Sequence, residues 1–541
     1  MTKWLEGWRP YLWLVLLGLA VLVPGQATLP PLDRDESRFA QATRQMLETG
    51  DYVRIYFLDQ PRHKKPVGIH WLQAASVQAF STPDSRAIWP YRLPSLLAVL
   101  VAMLATFHVG ARLFDRPTAF LGAALLGGSV MLALEGHQAK TDAVLLACTV
   151  LAQGALARFY VHGRGRGGPP PGLGLALLFW LAQGVGMLVK GPILPLISLL
   201  TLGALAIADR GLGWFRALRP LMGIPLAAAV VAPWLMAVSG ATQGGFVSEA
   251  VKSDLLPKLL GAQESHGGFP GYYLVLAVLF LWPGSLVLWP ALRRAWQERV
   301  APPTRFLIAW AAPAWIVFEL VPTKLPHYVS PLYPALALLL AAYAVRAPSP
   351  GRLGKAWIVG WAGLGIALGL AVVLASLKLG GGLSGWALLA GFAAFAAAFL
   401  GARAAWRGPA DLGLGPVVIA GAVFLAASLG GVAPSLADLD LSRRVAAAVR
   451  SANSPHPVAA AGYHEPSLVF LLGSRTKLVD GAGAAAHIRS QPGALAVVGD
   501  RNLAAFQAAL GSDAAQEIAA VSGLNYSRGQ RVTLRIYQTK P

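Results

Sequence analysis

Apolar residues gather along this chain in long runs separated by short polar connections. The runs fall at about 10–30, 90–112, 117–135, 140–161, 171–188, 191–208, 218–239, 270–290, 304–321, 327–346, 356–377, 384–404 and 412–431. A bilayer span needs about 20 apolar residues, and a helix satisfies every backbone polar group within its own segment. The pattern predicts about thirteen transmembrane helices over residues 1–433. A shorter run at 66–80 reads as a further short or re-entrant helix. After residue 433 the pattern changes. Apolar, β-prone stretches such as PVAAAGY, SLVFLL, ALAVVGD and RVTLRIYQ alternate with helical segments at 441–452, 483–490 and 501–510. The predicted fold is therefore mainly α, a polytopic membrane protein, with a small α/β domain over 434–541.

Composition agrees with that class. Hydrophobic residues make up 55% of the chain and charged residues only 13%, against about 25% charged in soluble domains. The net charge of +20 would point to nucleic acid in a soluble protein, but no nucleic-acid-binding motif is present. Instead the basic residues collect in alternate connections: Lys3 and Arg9; Arg112 and Arg116; Arg158, Arg164 and Arg166; Arg210, Arg216 and Arg219; Arg293, Arg294, Arg299 and Arg305; Arg346, Arg352 and Lys355; Arg403 and Arg407. The connections between them carry one each, Lys140, Lys190, Lys324 and Lys378. Cytoplasmic loops hold the excess of lysine and arginine, which places the N-terminus inside. The first apolar run is counted as a retained span rather than a cleaved leader. Thirteen crossings then leave the C-terminal domain outside, with two long outer segments at 31–89 and 240–269. The single cysteine, Cys148, lies in an apolar run and is expected to pack.

The outer face holds the candidate chemistry. PLDRDESRFAQATRQMLETGDY follows the first span directly and is dense in charge. Phe39, Ala42, Met46 and Leu47 recur at helical spacing, which predicts an interfacial helix over 34–48 with Arg44, Glu48 and Asp51 on its solvated face. That reading leaves the adjacent carboxylates Asp35 and Glu36 unexplained. Next comes LDQPRHKKPVGIHWLQ, where His63, Lys64 and Lys65 stand at the edge of an apolar helix. Lysines there can hold a phosphate as point charges. Lys140 with Asp142, Lys190, and Lys324 with His327 and Tyr328 occupy short outer loops. Taken singly, each lysine has a plainer reading as a snorkelling helix-end residue. Taken together on one face they suggest a shared polar site. Carboxylates and cations in one place suit a reaction in which a hydroxyl attacks and a phosphate leaves.

RDESRFAQATRQMLETGDY followed by KKPVGIHWLQ resembles the first periplasmic loop of the ArnT-like, or family 39, glycosyltransferases of the GT-C class. KTDAVL, LVKGPI, TKLPHYVSPLYPALALL and HGGFPGYYL follow in the family's order, and GYHEPSLVFLLGSRT in the C-terminal domain is also similar. The resemblance implies a sugar donor carried on a polyprenyl phosphate, a lipid A, glycan or protein acceptor, inversion at the anomeric carbon, and a bacterial inner-membrane location with the site on the periplasmic side. It implies Asp35, supported by Glu36, as the catalytic acidic group. Lys65 and Lys190 would hold the lipid phosphate, with Arg38 and Lys64 beside them. Asp142, Lys324, His327, Tyr328 and His266 would line the cavity. Where the family often has a metal-holding glutamate, this chain has Lys64. No cofactor is therefore expected, and a divalent ion, with His63 or His266 as ligand, stays an open alternative. His464 and Glu465 read equally as a second site or as a bonded loop. The competing functional reading is a lipid or solute transporter without covalent chemistry.

Overall fold

Each of the thirteen apolar runs lies on helical segments. The computed structural model describes residues 3–165, 169–250, 252, 257, 267–344, 350–408, 413–511 and 515–539. Among the described residues, seven helices are long and apolar enough to cross a bilayer: Trp89–Leu113, Asp142–Gly163, Leu173–Lys190, Pro220–Ala241, Arg352–Leu379, Gly385–Arg407 and Gly415–Ser435. Arg116–Gly127 and Val130–Gly136 form a pair bent by 59°, which makes an eighth span if counted as one. The other runs are shorter or interrupted. Arg9–Leu22 and Ile193–Asp209 are short apolar helices. The 270–290 run breaks after Tyr272–Phe280 at Pro283, and the 327–346 run starts as the 3-10 turn Pro326–Leu332 before Tyr333–Ala344. Proline removes a backbone donor and clashes with the preceding turn, so it interrupts a helix that composition alone would continue.

Asp142–Gly163 is the most buried of these helices, with 89% of its apolar window inside the protein. It packs against Trp89–Leu113. Gly154 makes this possible, because a Cβ there would run into the Val109 side chain. Between helices in lipid, close packing replaces the hydrophobic drive, and small residues supply it. By contrast, only 22% of the windows of Pro220–Ala241 and Arg352–Leu379 is buried.

The chain ends in a five-stranded sheet with spatial order Lys477–Val479, Val458–Ala461, Leu495–Gly499, Gln530–Thr539, Ala515–Asn525. The first three strands are parallel and the last two antiparallel. Leu495–Gly499 is buried at every position, as a central strand covered on both faces should be. Helices Leu441–Ser451, Gly481–Ser490 and Asp500–Leu510 lie where the sequence pattern places them. SLVFLL does not form the expected strand. It forms helix Pro466–Leu472, with Pro466 in the first turn, where its missing N–H costs nothing.

The first outer loop also departs from expectation. Helix Asp35–Thr49 is not a half-solvated surface helix. It is held between helix Gly68–Phe80 and helix Pro466–Leu472 of the sheet domain. Arg44, expected in solvent, is buried. It donates to Glu48 at 2.8 Å and to the Phe470 carbonyl at 3.1 Å. Gln41 adds a bond to Ser474 at 2.7 Å. Gly50 ends the helix in the left-handed conformation, with its N–H on the Met46 carbonyl, the ordinary glycine stop. Asp51 then accepts from the Val53 and Arg54 amides and from the Arg54 side chain at 2.6–3.0 Å.

Asp33 joins this seam and is covered by it. Burial pushes its carboxyl up to about 6, against the Ser467 hydrogen bond and the Arg34 charge that pull it down; the nearby Glu465 charge adds to the rise. The folded state thus prefers the protonated form. Its contribution to stability is full below about pH 4 and lost as pH rises through about 6. Asp33→Asn, which keeps an acceptor for the Ser467 N–H, should therefore melt a few degrees above wild type at about pH 7.5. The gap should close toward about pH 4. A melting temperature below wild type at neutral pH would contradict this account.

Candidate functional site

Two charges buried side by side set the site's frame. Glu36 is 1% exposed and Arg92, near the start of Trp89–Leu113, is 0%. Arg92 Nε and Nη2 each donate to a Glu36 carboxylate oxygen at 2.8 Å. Its remaining N–H groups go to the Gln26, Leu29 and Pro30 carbonyls at 2.9–3.0 Å. All five guanidinium donors are used. Glu36 also accepts from the Leu32 and Ala139 amides, both at 2.8 Å. One residue pair thus ties together the 26–32 turn, helix Asp35–Thr49, helix Trp89–Leu113 and the loop holding Lys140. Glu36 has four donors on its two oxygens, so its expected place beside Asp35 in the chemistry becomes a place in the framework.

One residue past Ala139 begins a buried cluster of alternating charge. Lys140 Nζ lies 2.9 Å from Glu135 Oε1, 3.9 Å from Asp142 Oδ2 and 3.5 Å from His327 Nδ1. Asp142, the first residue of its helix, is ion-paired with Lys190 and lies 3.6 Å from His327 Nε2. The Lys190 ammonium sits over the Tyr328 ring, 5.5 Å from its centre, a favourable cation–π position. Asp142, Lys190, His327 and Tyr328, drawn from three distant parts of the sequence, are therefore neighbours.

The first-loop residues stand at the edge of this cluster. Asp35 is exposed at the first turn of its helix, and its charge reaches Lys140. Arg38 is half-buried three residues on, on the same side of the helix. Lys65 is half-buried, and its charge reaches His327. Gly68 makes that proximity possible: a Cβ there would lie 2.7 Å from the Leu188 carbonyl oxygen, two residues before Lys190. The start of helix Gly68–Phe80 can thus rest directly on the end of Leu173–Lys190. Lys64 is exposed. Lys324 is buried and donates to the Val321 carbonyl at 3.0 Å, with Gly268 packed on its stem. His266 lies outside the described residues.

Glu135 and Arg92 were not singled out from the sequence. Each is a lone charge in an apolar stretch, LALEGH and WPYRLPS, and that rarity is the signal that could have found them. His464 and Glu465 resolve as a bonded loop. His464 Nε2 faces the Ala460 and Val479 carbonyls at 3.1 Å, and Glu465 accepts from Asn525 at 2.9 Å. His63 is paired with Glu249 at 2.8 Å. Among the described residues, no group of three or more His, Cys, Asp or Glu side chains is arranged to hold a metal ion. An open groove of about 560 Å³ lies elsewhere, between Asp51, Tyr52 and Arg54 and the end of Pro220–Ala241, and includes none of the predicted site residues.

A family model described as dolichyl-phosphate-mannose-protein mannosyltransferase matches residues 64–236. The chain is similar to the undecaprenyl phosphate-alpha-4-amino-4-deoxy-L-arabinose arabinosyl transferase of Aeromonas hydrophila, with 29% identity over 357 residues, covering 64% of this chain and 63% of the relative. With the same-named protein of Pseudomonas paraeruginosa it shares 30% over 382 residues, covering 68% of this chain and 65% of the relative. The matched part thus spans just under two thirds of these relatives' length. In three dimensions the likeness is wider. ArnT from Cupriavidus metallidurans, solved bound to undecaprenyl phosphate, superposes with a TM-score of 0.75 at 19% identity, covering 98% of both chains. The fold is that of a multi-pass membrane protein, mainly helical, with a small C-terminal sheet domain. In fold the chain is similar to ArnT, the likeness that its loop motifs implied.

Because the Glu36–Arg92 pair is buried, removing one partner should cost far more than the pair itself contributes. Arg92→Met leaves a carboxylate unpaired in the interior, a loss of about 3–5 kcal/mol. We expect a marked drop in melting temperature and in the yield of folded protein. A variant as stable as wild type would show that the pair does not anchor the loop.

Proposed function

We propose that this protein is an inverting glycosyltransferase that moves a sugar from a polyprenyl (undecaprenyl) phosphate to lipid A, lipopolysaccharide or another periplasmic acceptor. The observation that carries this reading is the convergence of Lys65 and Lys190, with Lys140, beside the exposed Asp35 at one end of the helix bundle. The printed names of the sequence relatives support the same donor class. Residues 1–433 form the membrane domain in this reading, and 434–541 a periplasmic domain. The site opens to the periplasm of a bacterial inner membrane.

The chemistry follows from the charges. The acceptor hydroxyl attacks the anomeric carbon from the face opposite the phosphate, and its proton passes to Asp35. The carbon–oxygen bond to phosphate breaks, and its electron pair leaves on the phosphate oxygen. Lys65 and Lys190 oppose that new charge in surroundings where water is scarce and fixed charges count for more. Arg38 and Lys64 supply further positive charge to the phosphate. Asp142 and His327 keep Lys190 in place, while Tyr328 and Lys324 shape the cavity. His266 is assigned to the cavity on the family resemblance alone. Glu36 acts as a positioning residue through Arg92. The resemblance puts Lys64 where the family often has a metal-holding glutamate, and no step is assigned to an ion.

Asp35→Asn should fold, insert and bind undecaprenyl phosphate. It should lose transfer of 4-amino-4-deoxy-L-arabinose from its undecaprenyl phosphate donor to purified lipid A by about 100-fold or more. Lys65→Ala should chiefly raise the donor KM. Mass spectrometry of the lipid product reads both effects. An Asp35→Asn protein with wild-type turnover would sink the assignment.

A further inference from the structure

The turn that presents Asp35 is strained. Arg34 has φ 66° and ψ −101°, a region that glycine enters easily and a residue with a Cβ does not. Such a conformation persists only where the surroundings hold it. Glu36 anchors the turn from the membrane side through Arg92 and the Leu32 amide. From the other side, three bonds arrive from the C-terminal domain, and all fall on the two residues before Asp35. The Asp33 N–H donates to Tyr526 Oη at 2.6 Å, the Ser467 N–H donates to Asp33 Oδ1 at 3.1 Å, and Arg34 Nη2 donates to the Ser527 carbonyl at 2.8 Å. Tyr526 and Ser527 form the tip between the long strands Ala515–Asn525 and Gln530–Thr539.

Docking of the domain does not need these three bonds. Arg44 on the Phe470 carbonyl and Gln41 on Ser474 hold the same domain to the helix further along. What the three bonds add is control of the backbone immediately before the carboxylate. We propose that the C-terminal domain positions Asp35: Tyr526, Ser527 and Ser467 hold the Asp33–Arg34 turn and so aim the carboxylate over the lysine cluster. This rests on the catalytic reading of Asp35 given above. It makes Tyr526 a positioning residue that acts through the Asp33–Arg34 turn.

The test uses full-length protein in detergent, the undecaprenyl-phosphate-linked aminoarabinose donor and purified lipid A. Tyr526→Phe deletes one hydroxyl acceptor. Its kcat should fall about tenfold, the equivalent of one hydrogen bond, with donor KM and melting temperature unchanged because the lysines and the Arg44 contact are untouched. Placing Arg34→Gly in the Tyr526→Phe background should then raise kcat again in part, because glycine adopts the turn without strain while the Arg34–Ser527 bond is lost with the side chain. A purely structural role for Tyr526 would not respond to relief of strain at residue 34. Wild-type kcat in Tyr526→Phe, or no recovery in the double variant, overturns the proposal. Asp35→Asn run in parallel separates the two readings. If it stays active, the catalytic assignment fails; if it is inactive while Tyr526→Phe is fully active, only the positioning role fails.

Discussion

The Glu36–Arg92 pair is the constraint on which the site depends. A buried ion pair is expensive, because both charges lose their water, and it holds only when geometry and hydrogen bonding are complete. Here they are complete: five donors and four acceptor positions are all engaged. Because the partners come from different segments, that completeness is a statement about position. The 26–32 turn, the Asp35 helix, the long helix Trp89–Leu113 and the Ala139–Lys140 loop can satisfy the pair only in one mutual arrangement. The same arrangement brings Asp35 within electrostatic reach of Lys140.

A second constraint is steric. Gly68 allows the Lys65 loop to rest against the Leu188 carbonyl, two residues from Lys190. Cations gathered this way would repel one another, and the interleaved carboxylates Glu135 and Asp142 offset that repulsion. The result is a cluster balanced within itself, with Asp35 exposed at its edge. The sheet domain closes the arrangement from outside by clasping the Asp35 helix through Arg44 and Gln41.

Much of this was legible along the chain, and the failures have physical causes. Apolar runs and alternate basic loops read directly as a polytopic bundle, because lipid demands long apolar helices. Their number blurred where Pro283 and Pro331 interrupt the apolar runs. SLVFLL was ambiguous because a short apolar run suits a strand or a buried helix equally. Arg44 looked solvated because amphipathicity reports that a helix has two faces, and here the sheet domain covers the polar one as well. Arg92 and Glu135 were overlooked as isolated charges, although a lone charge in an apolar run seldom lies idle.

By itself the sequence determined a polytopic membrane protein, its helical architecture and which residues carry charge between its apolar runs. These follow from local composition and periodicity, which a single chain displays in full. Only the tertiary structure decided which of two adjacent carboxylates is bonded into the framework and which is exposed. Glu36 and Asp35 are equivalent in chemistry and neighbours in sequence. About 100° of helical rotation separates them: one meets Arg92 in the interior, and the other faces out beside the lysines that distant loops deliver.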